Sequence, residues 1–317
     1  MRRALIVLML LVLAACAAAD HGAGDAVVGC SLIRLAAMPL ETHGDLLFVR
    51  GTIHGVPVLL LVDTGAERTL LTEAAVDRLR LPRDYQHATR TYGIGASTAS
   101  WDATLPDGLT LGGTRFPVET VTVGRFDMMR FAGDVADGLL GADILLAFDI
   151  DLDVPNRRLT VYRARRGCPE AGPPWKGPYI RLAGIATRRD RMLVPFELDG
   201  VAGLGVLDTG AQLSTISLRM AERVGLEEGE LAEDGTVMAH GAAPDQVPVR
   251  IHRFRELRIG STMVQEPTLP VVAMSDGMGD ALVGADFLQG RRVWLSFATS
   301  TVFVTPINRG PAIAEAR

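Results

Sequence analysis

The same arrangement of apolar and polar positions occurs twice along the chain. Gly55-Val56 and Gly200-Val201 each open a run of mostly apolar residues, 57–62 and 202–207, and each run ends in Asp-Thr-Gly-Ala, at 63–66 and 208–211. Short apolar runs bounded by turn residues predict buried strands. Upstream, Leu46–Val49 and Met192–Phe196 predict partner strands. His54-Gly55 and Asp199-Gly200 then predict two-residue hairpin turns, in which glycine supplies a positive φ. Downstream, 72–79 and 217–224 predict short helices capped by Thr72 and Ser217.

The correspondence continues further along the chain. The segment from Asp137 to Leu145, ending Gly141-Ala142-Asp143-Ile144-Leu145, is matched by that from Asp280 to Leu288, ending Gly284-Ala285-Asp286-Phe287-Leu288. Strand-like runs follow at 159–162 in the first half and at 293–297 and 302–304 in the second. The chain is therefore a tandem repeat of two mostly β halves, each with one or two short helices. Gly167-Cys168-Pro169 and Gly172-Pro173-Pro174 mark the break between them. The expected division is a leader at 1–15, a tether at 16–40, an N-terminal lobe at 41–166, a linker at 167–189, a C-terminal lobe at 190–306 and a tail at 307–317.

Composition narrows the class. Of 317 residues, 48% are hydrophobic and 22% charged, enough apolar material for a packed core. A net charge of −5 without a long basic run argues against a nucleic-acid partner. Three cysteines exclude a disulfide scaffold and a cysteine-based zinc protein. Arg2-Arg3 precede an apolar run over 4–19, shorter than the about 20 residues that span a bilayer, which reads as a secretion signal. Its Leu13-Ala14-Ala15-Cys16 resembles the lipobox of bacterial lipoproteins. The resemblance implies an exported protein anchored to the membrane by lipid on Cys16, and Ala17 after it implies the outer membrane, facing the periplasm. Export places Cys30 and Cys168 in a disulfide-permissive compartment. They either pair, tying the N-terminal segment to the linker, or stay thiols.

A lone Asp-Thr-Gly is most simply a turn whose carboxylate accepts backbone hydrogen bonds. Two of them, each ending an apolar strand in equivalent halves, have another consequence. A pseudo-twofold relation between the halves can bring Asp63 and Asp208 together at the interface. Carboxylates about 3 Å apart cannot both ionise, so such a pair shares one proton. The ionised member can take a proton from water while the protonated member donates to a carbonyl oxygen, chemistry suited to peptide hydrolysis without a covalent intermediate.

On these motifs the chain resembles the clan AA aspartic proteases, the pepsin and retropepsin group. Asp63-Thr64-Gly65-Ala66-Glu67-Arg68-Thr69 follows the retropepsin pattern, and Asp208 to Ser214 follows it less fully. The two Gly-Ala-Asp segments resemble the family's second signature. The resemblance implies a mainly β, bilobal pepsin-like architecture of two retropepsin-like β-barrel repeats, with the active site between lobes and no cofactor or metal. It implies that Asp63 and Asp208 are the catalytic dyad. Thr64 and Thr209 would each bond the opposite main chain, and Gly65 and Gly210 would accept substrate backbone bonds beside Ala66 and Ala211. Tyr92-Gly93-Ile94-Gly95 resembles the tip of a flap over the substrate, with the second half's counterpart near His240-Gly241. A monomer would then contain its own pseudo-dimer, with a peptide or protein as substrate. Pepsin-type enzymes carry Ser or Thr where Ala66 and Ala211 stand, and losing that hydroxyl raises a carboxylate pKa, so a pH optimum milder than pepsin's is expected.

The remaining residues add little. The six histidines are scattered without a metal-ligand spacing, and no Gly-x-Ser-x-Gly is present. Asp143 and Asp286 are expected to be helix caps. Arg163, Arg165, Arg166, Arg188 and Arg189 read as solvated or as contacts for anionic lipid. Two rivals to a general endopeptidase stand: a non-catalytic module that binds peptide or an envelope protein, and a processor of one partner.

Overall fold

A computed structural model describes residues 32–307 apart from 93–96, 125–129, 132–133, 164–171, 188–190, 241–245, 276 and 298. Backbone alone is described at 87–92, 97–99, 130–131, 134–135, 228, 240 and 246. The fold is mainly β, in two similar lobes. In the first, the strands run in the order Arg83–Tyr92, Ser97–Thr104, Thr120–Gly124, Leu70–Thr72, Gly138–Leu140, Val56–Val62, Leu46–Ile53, Leu109–Leu111, Thr114–Phe116. In the second, the order is Gly235–His240, Gln246–Arg253, Thr268–Val272, Thr215–Ser217, Ala281–Val283, Val201–Leu207, Met192–Leu198, Glu256–Ile259, Thr262–Gln265. Position by position, these are the same sheet.

Local chemistry explains the elements. His54-Gly55 and Asp199-Gly200 adopt positive φ at both turn residues, 51° and 74° in one and 51° and 85° in the other. That geometry matches the right-handed twist of the flanking strands. The unbroken apolar run over 58–62 follows from burial on both faces. Val58, Leu60 and Val62 join the main core, while Leu59 and Leu61 join a second cluster with Phe48, Leu70 and Leu139. Helices Glu73–Leu79 and Leu218–Arg223 start where their caps accept a backbone N–H: Thr72 from Ala75 and Ser217 from Met220, both at 3.1 Å.

A third sheet departs from the expected division. Its order is Ile33–Pro39, Arg158–Arg163, Asp149–Asp153, Arg292–Ser296, Thr301–Val304, Ile180–Ala183. The segment expected as a tether therefore ends in a strand, and the one expected as a linker contributes another. The runs at 159–162, 293–297 and 302–304 belong to neither lobe alone. Asp149–Asp153 pairs directly with Arg292–Ser296, so backbone hydrogen bonds cross from one half to the other. Apolar alternation marks a strand but does not say which half supplies its partner.

This shared sheet carries a buried ionic network. Asp149, Asp151 and Asp153 alternate along one strand and are each almost fully buried. Arg292 grips both oxygens of Asp151, at 2.8 and 2.6 Å, and lies 3.5 Å from Asp153. Trp175 covers the guanidinium face at 4.9 Å. Deleting one partner of a buried pair strands the others. Arg292→Met is expected to lower the unfolding free energy by about 3–5 kcal/mol, read by urea denaturation.

Candidate active site

The two Asp-Thr-Gly loops meet where the lobes touch. Asp63 and Asp208 each follow the last residue of a central strand, and their N–H groups donate to Leu140 O at 3.0 Å and to Val283 O at 2.9 Å. Thr64 and Thr209 are fully buried between the loops. Thr64 Oγ1 donates to Leu207 O at 2.6 Å and accepts the Thr209 N–H at 3.1 Å. Thr209 Oγ1 donates to Val62 O at 2.5 Å and accepts the Thr64 N–H at 3.0 Å. Each hydroxyl thus bonds twice to the opposite half.

This lock sets the carboxyls side by side. Asp63 Oδ1 accepts the N–H groups of Gly65 and Ala66, both at 2.9 Å. Asp208 Oδ1 accepts those of Gly210 and Ala211 at 2.9 and 3.1 Å. The two carboxyls hydrogen-bond each other. A Cβ at Gly65 would overlap the Asp208 carboxyl, and one at Gly210 the Asp63 carboxyl, so each loop needs glycine for close approach. Burial and then the charge of Asp208 push Asp63 up to about 8, against the pull of its two backbone donors. Burial also raises Asp208, opposed by its backbone donors, the Asp63 hydrogen bond and the charge of Arg191.

Each loop is braced from behind. Asp143 Oδ1 accepts the Thr69 N–H and hydroxyl at 2.8 and 2.7 Å, and Thr69 Oγ1 accepts the Gly141 N–H at 3.0 Å. Asp286, Ser214 and Gly284 repeat the pattern at 2.9, 2.8 and 3.0 Å. This corrects the expectation that Asp143 and Asp286 cap helices. The cap positions are Gly141 and Gly284, and the aspartates tie the helix to the Asp-Thr-Gly loop instead.

Sequence reasoning passed over Arg191. Its side chain is nearly buried and reaches from the second lobe to the first, with Nε donating to Gly65 O at 2.8 Å and Nη2 lying 3.3 Å from Glu67. One lone pair of the Gly65 carbonyl, expected to receive substrate, is therefore taken up. The signal was available: the repeat register sets Arg191 against Leu46, an arginine where the other half has leucine.

Other expected site residues fall as follows. Ala66 and Ala211 pack against the small apolar clusters beside the loops. Tyr92 ends the first strand of the hairpin Arg83–Tyr92 and Ser97–Thr104, while Gly93, Ile94 and Gly95 lie outside the described residues. The second lobe has a matching hairpin, Gly235–His240 with Gln246–Arg253, and Gly241 at its tip lies outside them too. So do Cys16, Cys30 and Cys168. Among the described residues, no three His, Cys, Asp or Glu side chains converge as metal ligands would.

Because the native protein holds the Asp63 proton from its ordinary value of 3.8 up to about 8, it binds more protons than the unfolded chain across that interval. Stability attributable to Asp63 is therefore lost as pH rises through it. Asp63→Asn keeps the acceptor oxygen and removes this cost. The variant is expected to melt several degrees above the native protein at pH 7, with the gain vanishing toward pH 4, as read by calorimetry.

Comparison with known proteins bears on this geometry. A family profile described as aspartyl protease matches residues 49–144 and 194–287, one match in each lobe and each containing one Asp-Thr-Gly. Among solved structures, the chain is similar to a retropepsin-like aspartic protease from Rickettsia conorii, at 15% identity and a TM-score of 0.31, over 40% of this chain and 89% of that one. No curated protein matches. With both halves matched over more than half its length, the chain belongs to the aspartyl protease family.

Proposed function

We propose that the protein is an exported, lipid-anchored aspartic endopeptidase whose dyad is Asp63 and Asp208. The observation that carries this reading is the hydrogen-bonded pair of buried carboxyls, both raised above the ordinary range, at the junction of the lobes. Such a pair holds one proton and one charge over mild acid to neutral pH. The carboxylate takes a proton from water as the water oxygen bonds to the peptide carbon. The carboxylic acid gives its proton to the carbonyl oxygen. The tetrahedral intermediate then breaks its C–N bond, the nitrogen leaves with a proton from the dyad, and a hydroxyl proton restores the starting pair.

The substrate is proposed to be an extended peptide lying across the dyad beneath the two hairpins. Thr64 and Thr209 hold the dyad in register, with Gly65 and Gly210 beside the substrate main chain. Tyr92, Gly93, Ile94 and Gly95 would close over it. No hydroxyl follows Gly65 or Gly210, and one oxygen of each carboxyl takes two main-chain N–H donors with no side-chain hydroxyl from that position. This supports an optimum milder than pepsin's.

Lipidation at Cys16, and with it an outer-membrane location facing the periplasm, rests on the leader sequence. A Cys30–Cys168 bond would tie the segment before Ile33 to the one after Arg163, two residues that pair in the shared sheet. Activity needs no second chain, because both aspartates come from one.

The test is incubation of protein beginning after Cys16 with a diverse peptide mixture from pH 3 to 7, with products read by mass spectrometry. Cleavage is expected between mild acid and neutrality, reduced about 10²–10⁴-fold in both Asp63→Asn and Asp208→Asn. Absence of cleavage at every pH would contradict a general endopeptidase and favour the binding module or the single-partner processor.

A further inference from the structure

A symmetric pair of carboxyls has two equivalent places for its single proton. Here the surroundings are not symmetric. Pairing of Phe48 with Leu61 and of Leu193 with Val206 superposes the two hairpins, which sets Leu46 against Arg191. Leu46 is buried and uncharged, whereas the Arg191 guanidinium is always charged. The loops differ in the same sense, with Glu67 and Arg68 following the first Asp-Thr-Gly-Ala and Gln212 and Leu213 following the second.

Arg191 is anchored beside the pair through Gly65. The Gly65 residue whose carbonyl it grips lies against the Asp208 carboxyl, while Gly65 N–H donates to Asp63. Its Nη1 holds Gly277 O at 3.4 Å, and it is only 7% exposed, so water screens its charge weakly. Of the charged groups around the pair, Glu67 is paired with Arg191 and Arg68 turns away to Asp102 at 3.0 Å. Asp280 is held by Arg223 and the Leu204 N–H. The turn that packs on Gln212 brings His43 and Asp45 from the opposite half. The charge of Arg191 favours the ionised form of Asp208, the carboxyl against which its Gly65 anchor lies.

We infer that Arg191 is a positioning residue that decides where the shared proton sits, holding Asp208 as the carboxylate that activates water and Asp63 as the acid that protonates the substrate carbonyl. The labels of acid and base rest on the proposed hydrolytic reading, but the location of the proton does not.

The test is therefore a titration that needs no turnover. In Asp63→Asn and Asp208→Asn one carboxyl of the pair remains, and its ¹³C signal is the one missing from the double variant. Asp208 is expected to titrate below Asp63. Arg191→Met should raise Asp208 and close most of that gap, while Arg191→Lys should keep much of it. Glu67→Gln, at a half-exposed site that should not threaten folding, removes the counter-charge and should lower Asp208 instead. Equal titration of the two carboxyls, or a gap that neither Arg191→Met nor Glu67→Gln moves, would overturn the inference. With an active preparation, the acid limb of kcat/KM should move to higher pH in Arg191→Met and to lower pH in Glu67→Gln. A merely structural Arg191 would lower the melting temperature and leave the limb in place.

Discussion

The four crossed hydrogen bonds of Thr64 and Thr209 are the constraint on which the rest of the site depends. Each hydroxyl satisfies a carbonyl and an N–H of the other half in a fully buried seam. Buried backbone groups without partners are costly, so neither loop can move away without exposing or orphaning the other. Neighbouring residues inherit this rigidity. The aspartates one position earlier are fixed against each other, and the glycines one position later close over the opposite carboxyl. Asp143 and Asp286 carry the restraint outward to the short helices. The shared sheet adds a second tie between halves, through the pairing of Asp149–Asp153 with Arg292–Ser296.

Rigid proximity also makes the electrostatics. Two carboxyls that could separate would ionise separately, near their ordinary values. Held together and buried, they retain a proton to about 8 at Asp63. The stability given up for that proton is the usual cost of a poised site. Duplication within one chain adds a freedom that two identical chains lack. The halves can diverge, and Arg191 opposite Leu46 is such a divergence placed beside the dyad.

Much of this was legible in the sequence because duplication turns weak signals into strong ones. A single Asp-Thr-Gly is a turn, but the same triplet closing two matched apolar runs fixes the topology around both. His54-Gly55 and Asp199-Gly200 could form little other than tight hairpins, and Thr72 and Ser217 cap helices as their chemistry suggests. Pairing between halves was not legible. Arg158–Arg163 and Arg292–Ser296 read like any short buried strand, and nothing local says that they join a common sheet. Asp143 looked like a cap because it opens a helix, yet its partner Thr69 is distant in sequence. Arg191 was hidden for a related reason: its contacts with Gly65 and Glu67 arise only once the lobes are assembled, although comparison with Leu46 marks it as the odd residue.

The central claim is that the assembled halves hold one proton between two carboxyls. It is tested most directly by potentiometric titration of the native protein against the double variant Asp63→Asn/Asp208→Asn. The difference curve should show one proton lost in mild acid, a plateau of one bound proton through neutrality, and its loss near pH 8. Loss of both protons together near pH 4, where isolated carboxyls titrate, would contradict the account.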